Sequence, residues 1–164
     1  MYKKLKDNRG FTLVELLVVI AIIGILAAII TPNAFKAIEK GKVAAAEADY
    51  KAIKAAALNA YTDTGIWPPQ SSNYGVDPGL VDNTKWSNVP STWNGPYLER
   101  WKDKNPWGGT YTYFNNSSNS WSTTARYLEL TSVPTSASTT MSNDLSTDVV
   151  KVSGTTVDIL ISKD

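Results

Sequence analysis

The chain has 164 residues, with 16 Lys+Arg against 15 Asp+Glu; so balanced a charge gives no bulk attraction to nucleic acid. It contains no cysteine and no histidine, which excludes disulfide staples, thiol catalysis, zinc fingers and a Ser-His-Asp triad. This length holds one small domain plus an additional element, and the domain must be held by burial, hydrogen bonds or a bound ion.

The charge is unevenly placed. Lys3, Lys4, Lys6 and Arg9 stand against Asp7 alone in residues 1–10. From Phe11 to Ile30 the only ionisable side chain is Glu15. At about 1.5 Å per residue, that apolar run makes a helix roughly 30 Å long, the hydrocarbon thickness of a bilayer. The basic flank precedes it, so the amino terminus is expected to stay cytoplasmic while the rest is exported. Glu15 is the anomaly. A carboxylate inside a membrane helix costs about 2.5–3.5 kcal/mol at the centre and less near an end. Position alone leaves two readings open: a hydrated interfacial residue, or a functional group awaiting a partner.

The local string Arg9-Gly10-Phe11-Thr12-Leu13-Val14-Glu15 resembles the class III signal of type IV pilins and of type II secretion pseudopilins. The apolar stretch from Leu16 to Pro32 is similar to that family's anchor. The resemblance implies a leader at 1–10, cut by a prepilin peptidase between Gly10 and Phe11, and N-methylation of the new amine on Phe11. Gly10 suits an extended backbone entering a protease groove. Cleavage before the apolar run keeps the anchor, whereas an ordinary signal peptide is lost altogether; Ala27-Ala28 offers only a weak site for that alternative. The cut creates a cation at Phe11, and Glu15 lies one helical turn away. It is therefore expected to neutralise that amine in its own chain or in a neighbour during assembly. Gly24 and Pro32 mark an expected bend or local melting near Ala28 to Pro32, because proline removes a helix hydrogen bond.

Residues 33–64 continue as an amphipathic helix, with Tyr50, Ile53, Ala57 and Tyr61 at helical spacing. Gly65 stops it, and Pro68-Pro69 prevents resumption. Residues 65–164 form the expected β-rich head. The segments Gly95-Pro96-Tyr97-Leu98 and Asn105-Pro106-Trp107-Gly108-Gly109-Thr110-Tyr111-Thr112-Tyr113 resemble major pseudopilin segments, with Asn105 where Asp is common. Tyr111–Phe114 and a second segment starting at Trp121 or spanning Tyr127–Leu130 read as neighbouring antiparallel strands around the polar tip Asn115–Ser120. Both Asn115 and Asn116 begin an N-x-S sequon, but a hairpin loop is the stronger reading. Trp86, Trp93, Trp101, Trp107 and Trp121 read as core filling rather than a sugar-binding platform. Thr131–Ser146 is dominated by Ser and Thr and reads as a long surface loop. Val149–Val152 and Thr155–Ile161 read as a hairpin.

The fold expected is α+β: a long N-terminal helix, membrane anchor plus amphipathic half, packed on a small antiparallel sheet as in pilins. The function expected is structural. The resemblance implies a self-assembling helical homopolymer, a prepilin peptidase, an assembly platform in the cytoplasmic membrane, and a fibre outside the cytoplasm. It also implies calcium in a carboxy-terminal loop, for which Asp144 and Asp148 are the candidate ligands, with Ser142 or carbonyls. Their spacing does not match a twelve-residue calcium loop. The alternative is a signal-anchored carbohydrate-binding module or enzyme. Its carboxylates, Asp63, Asp77, Asp82, Glu99, Asp103 and Glu129, are too scattered to nominate a pair.

Overall fold

The structure, a computed structural model, describes residues 10–115, 121 and 124–163. The chain divides into two units, Met1–Ile38 and Glu39–Asp164. Helix α1 (Leu13–Thr64) contributes to both.

In the first unit α1 carries an apolar surface on all sides. Leu13 to Ile30 expose every large aliphatic side chain, for example Leu13 at 76% and Ile30 at 61%. This helix is long and apolar enough to cross a membrane. α1 is helical through both Gly24 and Pro32, so the stretch from Ala28 to Pro32 is not melted here. Pro32 removes one backbone donor, but the neighbouring ladder remains. Thr31 Oγ1 donates to the Ala27 carbonyl at 2.6 Å. One lost bond, about 3 kcal/mol with its steric clash, does not unwind the helix of an isolated chain.

In the second unit α1 becomes one-sided. Val43, Ala46, Tyr50, Ile53, Ala56, Ala57 and Ala60 are buried, a stripe at helical spacing as expected, although Tyr61 lies half-exposed. The alanines let the helix lie close on the sheet, and Tyr50 OH donates to the Leu160 carbonyl at 2.6 Å. Burial pushes the Tyr50 hydroxyl pKa up to about 12. Gly65, at φ +73°, takes the left-handed conformation that ends α1, and its N–H donates to the Tyr61 carbonyl at 2.8 Å.

The sheet has four antiparallel strands in the order β1-β2-β4-β3: β1 (Tyr111–Phe114), β2 (Arg126–Leu130), β3 (Val150–Ser153) and β4 (Thr156–Ser162). Tyr111 pairs with Leu130 and Phe114 with Tyr127, so the expected β1–β2 neighbours are present. The β3–β4 hairpin is also present, turning at Gly154-Thr155. Tyr111, Tyr113, Leu128, Leu130, Val157, Ile159 and Ile161 share the main core with α1. The opposite face carries a smaller cluster of Ala125, Tyr127 and Leu160, joined by Phe114, Trp121 and Val149.

Thr131–Ser146 is not a continuous loop. Thr135–Leu145 form a second helix, α2, which buries Ala137, Ser138 and Met141. Thr139 Oγ1 and Thr140 Oγ1 donate back to the Thr135 and Ser136 carbonyls at 2.8 and 2.9 Å. Those bonds satisfy hydroxyls that otherwise compete with the helix, and the Ala137–Met141 face supplies the packing.

Trp86, Trp101, Trp107 and Trp121 fill separate gaps, as expected, whereas Trp93 is neither fully buried nor part of a core cluster. Trp86 is buried and its Nε1 donates to the Gly79 carbonyl at 2.9 Å. Trp101 and Trp107 pack against the main core, and Trp121 joins the outer cluster. Trp93 meets Tyr97 edge-on at 5.6 Å.

Candidate functional site

The amino-terminal end of α1 is built from Gly10 to Glu15. Gly10, Phe11 and Thr12 precede the helix in non-helical conformation, and Phe11 is 92% exposed. Thr12 is the cap. Its Oγ1 accepts from Glu15 N–H at 3.2 Å. Glu15 Oε2 reaches back to accept from Thr12 N–H and from Thr12 Oγ1, both at 2.8 Å. This is a reciprocal capping box, T-x-x-E. Leu16 N–H then donates to the Thr12 carbonyl at 3.3 Å, starting the helical ladder.

Thr12 is a partner of Glu15 beyond the expected amine. The threonine three residues earlier was the overlooked signal, because Ser or Thr followed by Glu at that spacing satisfies two helix-end donors at once. The geometry divides the carboxylate. Oε2 is engaged by Thr12, whereas Oε1 has no hydrogen-bond partner among the described residues. Glu15 is exposed, so Oε1 is open to a donor from outside the helix.

The head holds the other candidates. Asn105 is 4% exposed. Its Oδ1 accepts from Trp107 N–H at 3.0 Å and Gly109 N–H at 3.2 Å, while Nδ2 donates to the Thr131 carbonyl at 2.7 Å. A carboxylate matches the two acceptor contacts and cannot make the third. Asn at this position therefore serves the Asn105–Gly109 turn through an amide donor instead of a charge. Trp107 Nε1 in turn donates to Glu39 Oε1 at 3.3 Å.

Asp144 lies in α2, on a hollow that it shares with Lys40, Val43, Ala44, Glu47 and Thr140. Burial, then the Asp144 charge, raises the Glu47 pKa, with Lys51 opposing. Asp148 is exposed in the turn before β3, and its carbonyl accepts from Trp121 Nε1 at 3.1 Å. Among the described residues no group of three or more His, Cys, Asp or Glu side chains is placed to hold a metal ion. Asp144 and Asp148 are thus not part of such a group.

Several carboxylates weighed as catalysts have structural partners. Asp77 accepts from the N–H groups of Leu80, Val81 and Asp82, and Asp82 caps the short 3-10 helix Asn83–Lys85 through Thr84. Of the two sequon asparagines, Asn115 has its side chain committed to Pro68 and Arg126, and Asn116 lies outside the described residues.

The family described as the prokaryotic N-terminal methylation motif matches residues 5–31, and the family described as PilW, C-terminal, matches residues 37–129. The type II secretion system core protein G of Pseudomonas aeruginosa is 37% identical over 109 residues, 66% of this chain and 74% of that protein. The chain belongs to the type IV pilin and pseudopilin family. The core protein G of Vibrio cholerae is 32% identical over 113 residues, covering 69% of this chain and 75% of its own length. A type IV major pilin protein, PilE1 of Neisseria gonorrhoeae, is 34% identical over 111 residues, 68% of this chain and 54% of that protein. Among solved structures, the major type IV pilin PilA1 of Clostridium difficile aligns with a TM-score of 0.50 at 20% identity. That alignment covers 76% of this chain and 96% of the other and supports the pilin fold: a long N-terminal helix packed on a four-stranded antiparallel sheet.

Proposed function

We propose that this chain is the precursor of a fibre subunit, cut between Gly10 and Phe11 by a prepilin peptidase and methylated on the Phe11 amine. It then polymerises by bundling the first half of α1 with that of other copies. Before assembly it spans the cytoplasmic membrane once, amino terminus inside, and an assembly platform in that membrane extracts it into an extracytoplasmic fibre. The observation that carries this reading is the pairing of an all-round apolar helix with one carboxylate, Glu15, whose Oε1 has no partner among the described residues. The capping box keeps Glu15 oriented while the charge created at Phe11 supplies a donor. Lipid contacts exchanged for protein contacts give little net drive, so packing and this ion pair carry selectivity. In low dielectric, removal of one member strands the other as a buried charge.

Within the family, the type II secretion reading is favoured over the adhesive or motile pilus. The Pro-Trp-Gly turn is a built element of the head, and core protein G relatives match over most of their own length. No catalytic step is assigned to the subunit.

Co-expression with a prepilin peptidase, followed by intact-mass analysis, tests the cut: the mature chain is expected to begin at methylated Phe11. Glu15→Ala is expected to be processed normally while sheared-fibre yield falls by about tenfold or more, the scale of a lost charged contact. A mature chain starting beyond Ile30, or full fibre yield from Glu15→Ala, overturns the proposal.

A further inference from the structure

Two buried donors on one side of the sheet in the head lack an acceptor among the described residues. Tyr113 is fully buried on the core face of β1. Its hydroxyl has no hydrogen-bond partner among the described residues, and neither has Arg126 Nη1, although both atoms are shut off from solvent. The register brings the two side chains together. Tyr113 pairs with Leu128, and Arg126 lies two positions along β2 on the same side of the sheet. The irregularity beside Arg126 adds its extra residue to β4, so the alternation along β2 is intact. Burial raises the Tyr113 hydroxyl pKa, and the Arg126 charge opposes that rise.

The rest of the corner holds Arg126 in place. Its Nε donates to Asn115 Oδ1 at 3.0 Å, and Asn115 Nδ2 donates to the Pro68 carbonyl at 2.8 Å. The guanidinium lies over the Trp67 ring, 5.1 Å from its centroid, and Tyr61 stacks on Trp67 at 4.6 Å. No carboxylate pairs with Arg126 among the described residues. The fold thus fixes a cation against aromatic and amide groups and leaves one of its N–H donors buried without a partner among the described residues, on the same side of the sheet as the Tyr113 hydroxyl.

We propose that Tyr113 OH and Arg126 Nη1 together bind a small monovalent anion of the size of chloride. Arginine only donates, and a tyrosine kept protonated by burial donates as well. A water in the corner accepts from both but brings two hydrogens that need acceptors of their own. An anion accepts from both, leaves no hydrogen unsatisfied, and balances a charge that burial makes expensive. When bound, it ties β1 and β2 to the Trp67-Pro68 segment that follows α1.

The full-length chain in detergent micelles provides the test. Chlorine quadrupolar line broadening is expected with the unmodified chain and is expected to fall to the detergent background in Arg126→Gln and in Tyr113→Phe. The unfolding midpoint of the head should rise with sodium chloride, relative to sodium gluconate at equal ionic strength, in the unmodified chain alone. Should Arg126→Gln fail to fold, Tyr113→Phe decides, since it removes one hydroxyl and keeps the ring. Equal broadening in the unmodified chain and in Tyr113→Phe overturns the proposal and leaves a water or an acceptor from the chain itself in the corner.

Discussion

α1 handles the same chemistry in two opposite ways. From Leu13 to Ile30 its aliphatic side chains are about half to three-quarters exposed; from Val43 to Ala60 one stripe is almost completely buried. The difference lies in pattern more than in hydrophobicity. An apolar surface all round has no polar face to leave in water, so it requires lipid or other copies of itself. A single stripe is completed within one chain by a sheet whose inward positions are Tyr, Leu, Val and Ile. The head is therefore a self-sufficient fold, and the amino-terminal rod is half of an interface.

The largest expected effect follows from that division. A chain beginning at Glu39 keeps every buried residue of α1 and loses the apolar rod. It is expected to move from detergent-dependent to freely water-soluble and monomeric by size-exclusion chromatography, with its near-ultraviolet circular dichroism unchanged. Loss of that tertiary signal would show that the rod contributes to the fold of the head and would break the comparison.

Next come changes that damage the head and spare the rod. A Cβ on Gly109 would be driven into the Thr131 carbonyl, which is backbone and cannot swing aside. Gly109→Ala is expected to destabilise the head by about 3 kcal/mol, the upper range for overpacking, as measured by thermal unfolding in micelles. Membrane insertion should not change. Asn105→Asp is expected to cost about 2 kcal/mol, because it removes the donor to Thr131 and leaves a buried acceptor pair facing each other. A smaller cost would mean that the turn relaxes to admit a carboxylate.

Local chemistry made much of this readable from the sequence. The rod, the Gly65 stop, both strand pairs and the Trp107 turn follow from residue patterns spanning a few positions. The capping box was equally local, with Thr12 three residues before Glu15. α2 was not readable in that way. Its Thr135-Ser136-Ala137-Ser138-Thr139-Thr140 start has weak helix propensity, and Pro134 at its cap makes no side-chain hydrogen bond. The burial of Ala137 and Met141 against distant residues overrides that weakness. The Tyr113–Arg126 corner was hidden for a related reason. It exists only once β1 and β2 take one register, and a shift of one residue would turn Arg126 to the other face.

The smallest expected effect tests the outer face of the sheet. Glu129 pairs directly with Asp158 across β2 and β4, and Asp158 pairs with Lys151 across β4 and β3. Burial, and then the Asp158 charge, raise the Glu129 pKa, so the folded head holds this proton more tightly than the unfolded chain does. The associated stability is complete below the unfolded carboxylate value, about 4.3, and is lost as pH rises through the folded value. Glu129→Gln keeps the shape and stays neutral at every pH. It is expected to stabilise the head at pH 7 by about 0.2–1 kcal/mol, the range of a like-charge cross-strand pair. The gap to the unmodified chain should close as pH falls toward the unfolded value. Thermal unfolding across that range is the measurement. A gap that does not depend on pH would assign the gain to packing, and a destabilised variant would mean that Lys151 already compensates both carboxylates in the row.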